Sequence, residues 1–158
     1  MRNAVRAVFA TTLLLAGTPA PGADLEDADA AYQRGDYARA MRLWRSSAEQ
    51  GEAKAQLKLG YMYRYGVGVA QDYVRAVSWF RKAATQGLAA AQNDLGRMYE
   101  YGYGVEQNYV KAISCYRKAA EQEYGNAAYS VVIMCHQGDG IDNNIARRCE
   151  AAKKVACD

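Results

Sequence analysis

The chain has 158 residues, with 20 Lys or Arg against 17 Asp or Glu, four cysteines and a single histidine. That length allows one modest domain. The near balance of charge gives no overall field that would gather nucleic acid, and no CxxC occurs to suggest a zinc knuckle or a thioredoxin-type redox pair.

The first element is a leader. Arg2 and Arg6 precede a mostly apolar run, Ala7 to Ala16, and GTPAPGA follows with helix breakers and small residues. This is the layout of a secretory signal peptide over residues 1–23, with cleavage after Gly22 or Ala23. The run is too short to anchor the chain across a bilayer, so no membrane span is expected once it is removed. Losing Arg2 and Arg6 leaves 18 Lys or Arg against 17 Asp or Glu. A periplasmic or secreted location follows. In an oxidising compartment Cys115, Cys135, Cys149 and Cys157 are expected to form disulfides, and three complete pairings are open.

Residues 24–50 predict a short helical hairpin. Leu25 to Arg34 forms one helix, Gly35-Asp36 a tight turn, and a second helix carries Trp44. Two fuller units follow, 51–86 and 87–122, related by a gapless period of 36 residues. LGYMYRYGVGVAQDYVRAVSWFRKAA at Leu59–Ala84 returns as LGRMYEYGYGVEQNYVKAISCYRKAA. Each unit reads as helix, glycine-bearing loop, helix. Asp36, Asp72 and Asn108 stand at aligned positions as N-caps, with Asn144 aligned to them in the last copy. Ala76, Trp79, Phe80 and Ala83 form one apolar stripe. Gly60 and Ala76 allow two antiparallel helices to approach closely, with Tyr63 and Phe80 filling the space around the crossing. One such hairpin cannot bury its own apolar faces, whereas a stack can. The expected fold is all-α: an α/α solenoid of about four stacked hairpins.

Residues 123–158 form a third, degenerate copy. Val132 replaces the close-packing glycine, Arg148 replaces the small residue opposite, and Cys135 and Cys149 replace Tyr63 and Val77.

These residues closely resemble the Sel1-like repeat family, a relative of the tetratricopeptide repeat. The family pattern is carried by Leu59, Gly60, Tyr63, Gly66, Gly68, Val69, Asp72, Ala76, Trp79, Phe80, Lys82, Ala83, Ala84 and Gly87, and by their partners one period later. The first hairpin looks more like a tetratricopeptide repeat and acts as a cap. The resemblance implies binding of a protein or peptide partner on a concave face lined by first helices. Carried over by position, the contacts are Tyr32 in the first hairpin, Tyr61, Arg64 and Tyr65 in the next, Arg97, Glu100 and Tyr101 in the third, and Tyr129 and His136 in the last. Family geometry also places the positions of Cys135 and Cys149 close together and favours that disulfide, with Cys115–Cys135 also open.

Little points to catalysis. No S-x-x-K and no G-x-S-x-G occurs. Gly66-x-Gly68 lacks the third glycine and the preceding strand of a dinucleotide loop. DGIDNN at Asp139–Asn144 lacks the spaced ligands and closing Glu of a calcium loop. His136 is read as a surface residue. No catalytic residue, metal site or cofactor is expected. The competing reading is a cysteine-rich Sel1-like enzyme acting on β-lactams or cell-wall peptides.

Overall fold

The aligned Asp and Asn residues do start helices. In a computed structural model, which describes residues 23–137, the side chains of Asp36, Asp72 and Asn108 accept hydrogen bonds from the backbone N–H three residues on, at 3.0, 2.9 and 2.9 Å. Each satisfies a donor that the first helical turn leaves unpaired. Seven helices are described: α1 Ala23–Gln33, α2 Tyr37–Glu49, α3 Ala53–Tyr65, α4 Tyr73–Thr85, α5 Ala89–Tyr101, α6 Tyr109–Ala120 and α7 Gly125–Gln137. No strand occurs among the described residues. The eighth helix expected from Asn144 onward, the leader and the 138–158 part of the last copy lie outside the described residues.

Each helix packs most heavily against its neighbours in sequence. That is the contact pattern of stacked hairpins, in which a unit touches only the units beside it. The helices alternate between two layers, a first-helix layer (α1, α3, α5, α7) and a second-helix layer (α2, α4, α6). The core is a chain of linked clusters. One gathers around Trp44 and Leu59 from α1–α3, the next around Phe80 and Tyr63, the last around Tyr116, Val131 and Met134.

The aromatic at the centre of each cluster sets the close approach. A methyl group on Gly60 would overlap the Phe80 ring, and one on Gly96 would stand 2.8 Å from the Tyr116 ring. Both rings are fully buried. The small residue and the large one thus occupy a single volume, as the repeated pattern suggests.

Hydrogen bonds repeat with the sequence period. Gln56 donates to the Ala48 carbonyl (3.1 Å) and accepts from Gln86 (2.8 Å); Gln92 does the same with Ala84 (3.3 Å) and Gln122 (2.9 Å). These buried glutamines join each hairpin to the next. Unpaired, a buried amide would be costly.

The junctions between hairpins show where one copy departs from the rule. At Gly51 and Gly87, φ is +97° and +87°, and the backbone closes a Schellman turn: Gly87 N–H to Ala84 and Leu88 N–H to Ala83, at 3.0 and 3.3 Å. The third junction forms the same turn with Glu123 at φ +59°. An L side chain is strained there, and glycine is not. Glu123→Gly should therefore stabilise the protein by about 1 kcal/mol, seen as a higher urea midpoint at unchanged slope. An unchanged or lower midpoint would show that the left-handed turn carries no strain.

Candidate binding face

The first-helix layer is held together by polar side chains. Lys58 of α3 reaches Asp29 of α1 at 3.4 Å, and its ammonium lies 5.5 Å above the Trp44 ring. One repeat on, the signs reverse. Asp94 of α5 accepts from Tyr61 Oη at 2.6 Å and from Arg64 Nη1 at 2.8 Å, both on α3. The Arg64 and Asp94 side chains are each only 8% exposed. Burial pushes the Tyr61 phenol far above its ordinary value, and the Asp94 carboxylate adds to the shift. Burial also pushes the Asp94 carboxyl upward, against the opposing pull of Tyr61 and Arg64.

This arrangement corrects one expectation. Arg64 does not face outward. It is buried, because its guanidinium answers an acid on the next first helix, and its remaining surface lies against Tyr65 with the ring centroid 5.1 Å away. Tyr61 is half-buried for the same reason. Glu100 is also engaged, accepting from Tyr116 Oη at 2.5 Å.

The other expected contacts divide cleanly. Tyr65 (59%), Tyr101 (53%) and Tyr129 (68%) are the most exposed tyrosines among the described residues, and Tyr32 is 39% exposed. Arg97 is exposed and makes no ion pair among the described residues. Tyr32 packs against Tyr37 and Trp44 at 5.2 and 5.3 Å between centroids, so it belongs partly to the cap core. His136 and Cys135 lie in α7, but their side chains, with Cys149 and Cys157, lie outside the described residues, and so does the proposed disulfide. Cys115 is half-buried and makes no disulfide among the described residues, and burial pushes the ionisation of its thiol upward, which makes that thiol a poor nucleophile.

Two residues of this region were not singled out by pattern. Tyr103 stacks on Tyr73 at 4.9 Å and on Tyr101 at 5.6 Å. It extends the Tyr101 surface across the loop between α5 and α6. Asp94 is the hub just described. Its signal was an acid in the column where the preceding copy has Lys58.

Tyr61 and Tyr116 also make a pH prediction. Burial and a carboxylate acceptor push both phenols upward. The unfolded chain releases these protons near pH 10, whereas the folded protein keeps them. Their stabilisation is therefore complete below about pH 10 and declines as pH rises further. Tyr116→Phe should give a shallower alkaline loss of stability, followed by denaturant midpoints from neutral pH upward. A profile parallel to that of the parent would remove Tyr116 from the account.

Helical hairpins stacked about a continuous core, with loops and caps renewed at each repeat, define an α/α solenoid scaffold. The Sel1 repeat model matches residues 28–52, 53–88 and 89–124, and the chain belongs to the Sel1 repeat family. Sel1 repeats as a family are protein–protein interaction modules and generally serve as non-enzymatic scaffolds. A Sel1 repeat protein from Oxalobacter formigenes is similar at 33% identity and a TM-score of 0.70, over 81% of this chain and 55% of that one. A protective antigen with an SLR fold from uropathogenic Escherichia coli strains is similar at 36% identity and a TM-score of 0.73, over 88% of this chain and 31% of that one. This chain thus spans about half the length of the first and a third of the second. Helicobacter pylori cysteine-rich protein B shares the fold, with a TM-score of 0.57 and 17% identity over 68% of this chain and 91% of its own. Among curated proteins none matches the sequence. No helix of the described residues is long and apolar enough to cross a membrane.

Proposed function

We propose that this chain is an exported adaptor whose first-helix face binds a protein or an extended peptide. The observation that carries the reading is the run of exposed Tyr65, Arg97, Tyr101 and Tyr129 on three successive first helices. Tyr and Arg offer large contact area and directional hydrogen bonds, and they dominate the energetics of known interfaces. The apolar core positions of the same helices repeat from copy to copy, and the exposed Tyr65 returns as Tyr101, whereas the exposed Arg97 stands where the preceding copy has Tyr61. Export is read from Arg2, Arg6 and the apolar run before Ala23.

The test uses the chain as bait in an envelope extract, beside a variant with Tyr65→Ala, Arg97→Glu and Tyr101→Ala. Arg64 is left intact, because its loss would disturb folding. A protein held by the parent and released by the variant is the expected result. Equal retention by both would refute this face as the site. Mass spectrometry of the exported protein should place its first residue at Ala23 or Asp24.

A further inference from the structure

The near-neutral total charge conceals a strong separation between the two layers. The first helices carry six acidic and four basic residues, four of the acids on α1 alone. The second helices carry nine basic residues and a single acid, Glu49. The basic residues are Arg39, Arg42 and Arg45 on α2, Arg75, Arg81 and Lys82 on α4, and Lys111, Arg117 and Lys118 on α6. All nine are exposed.

Their placement follows from the helix and the repeat together. On α4 the exposed residues are Val74, Arg75, Ser78, Arg81, Lys82 and Thr85, all within one outward face at helical spacing. The same positions on α2 and α6 are exposed too. Two columns are basic in every copy: 39, 75 and 111, and 45, 81 and 117. Neighbouring helices pack about 8–10 Å apart, so the columns run across the helices as parallel rows. Neutralisation is slight. Of the nine, only Arg75 makes an ion pair among the described residues, 3.2 Å from its own cap Asp72 and largely exposed. Arg45 and Arg81 are instead held by phenols, donating to Tyr63 Oη at 3.0 Å and Tyr99 Oη at 3.3 Å. Arg75 and Lys111 lie over those same two rings, at 5.5 and 5.4 Å. Each ring thus positions a pair of cations without neutralising either.

Like charges gathered this way repel, and a monomer gains nothing by it. We propose that the second-helix face docks on the surface of an anionic bilayer, with phosphate headgroups as the ligands of its Arg and Lys rows. The rows cover a two-dimensional face rather than line a groove, which suits a planar array of headgroups better than a single strand. The other outward positions are small or polar, except Val74 (66% exposed) and Val110 (45%). These two occupy the same place on α4 and α6, where they add apolar contact at a bilayer interface. The one exposed aromatic of the described second helices, Tyr37 at the start of α2, packs edge-on against Tyr32, and the half-buried Trp79 is covered by Lys82 at 4.2 Å, so the face has no row of free rings on which successive nucleic-acid bases could stack. This surface is distinct from the first-helix face and does not rest on its proposed role. One face would hold the membrane while the other remains open.

The experiment is vesicle flotation of the full chain. One set of vesicles is phosphatidylcholine and the other contains one-third phosphatidylglycerol. The comparison variant combines Arg42→Glu, Arg117→Glu and Lys118→Glu, three exposed residues whose side chains hold no other element. The expected results are binding at least tenfold tighter to the anionic vesicles, loss of that preference in about 0.5 M NaCl, where charges are screened within a few ångströms, and a loss of about a hundredfold in the variant. Helical circular dichroism confirms that the variant is folded; should it unfold, the single variants Arg42→Glu and Lys118→Glu carry the same comparison, each with a smaller loss. Arg2 and Arg6 of the leader also favour anionic vesicles, but equally in parent and variant, so the loss seen in the variant reports on the second-helix face alone. Equal binding to both vesicles, or a folded variant that binds like the parent, overturns the proposal. Capture of duplex DNA or heparin without binding to anionic vesicles also overturns it and assigns the face to a linear polyanion.

Discussion

Gly104→Ala should be among the most damaging single-methyl additions this protein can receive, costing about 3 kcal/mol or more. Two effects combine. Gly104 has φ +67°, where an alanine costs about 1 kcal/mol on its own. The added methyl would also stand 2.5 Å from the Tyr73 carbonyl oxygen and 2.6 Å from the Val74 nitrogen. Those are backbone atoms at the start of α4, and they cannot swing aside as a flexible side chain can. The loop between α5 and α6 would have to lift from the preceding hairpin. Tyr103 would then leave its stack on Tyr73, and an inter-hairpin contact on which a solenoid depends would be lost. Gly87→Ala separates the two effects. Gly87 has φ +87° with no atom within 4 Å of the added methyl, so only the backbone cost of about 1 kcal/mol remains. Urea denaturation of the two variants decides the matter. If Gly104→Ala is no worse than Gly87→Ala, the loop does not bear on the hairpin beneath it.

That loop also shows what a repeat makes legible and what it hides. Caps, close-packed glycines and the apolar stripe stand in columns, so comparing one copy with the next exposes them. Asp72 and Asn108 were readable as caps because the bond each makes is local, three residues away. Gly60 and Phe80 were readable as parts of one helix crossing because their columns reappear as Gly96 and Tyr116, although the pattern set Ala76 opposite the glycine and the structure sets the Phe80 ring there. In the third copy these columns hold Val132 and Ala152, so the bulk changes sides in the sequence. Contacts between copies are harder to see. Gly104 was readable as a loop glycine, but not as one lying against Tyr73 of the preceding unit. Arg64 looked like a surface residue because its partner is 30 positions away, in a column that holds Lys58 one copy earlier. The charge separation between layers escaped for another reason. A sum over the chain cancels the acids of α1 against the arginines of the second helices, and only the alternation of layers separates them.

Asp94→Ala should cost about 3–5 kcal/mol, the usual result of removing one partner from a buried ion pair. The loss is not the worth of the salt bridge. It arises because Arg64, with its side chain only 8% exposed, would keep its charge in a site with no counter-ion, and Tyr61 would lose its acceptor. Replacing the whole pair by Arg64→Met with Asp94→Leu should be far milder, because apolar side chains of similar size remove the burial of charge altogether. Chemical denaturation of Asp94→Ala, Arg64→Met and the double variant provides the comparison. The expected order is a double variant more stable than Asp94→Ala by about 2 kcal/mol or more. If Asp94→Ala stays within about 1 kcal/mol of the parent, the pair is not buried in solution. The double variant also tests the link to function. Asp94 clamps α3 to α5 and thereby fixes how Tyr65 and Tyr101 stand relative to one another. A folded double variant that has lost partner binding would show that the ion pair sets the register of the binding face. One that binds normally would show that packing alone suffices and that the exposed tyrosines act without it.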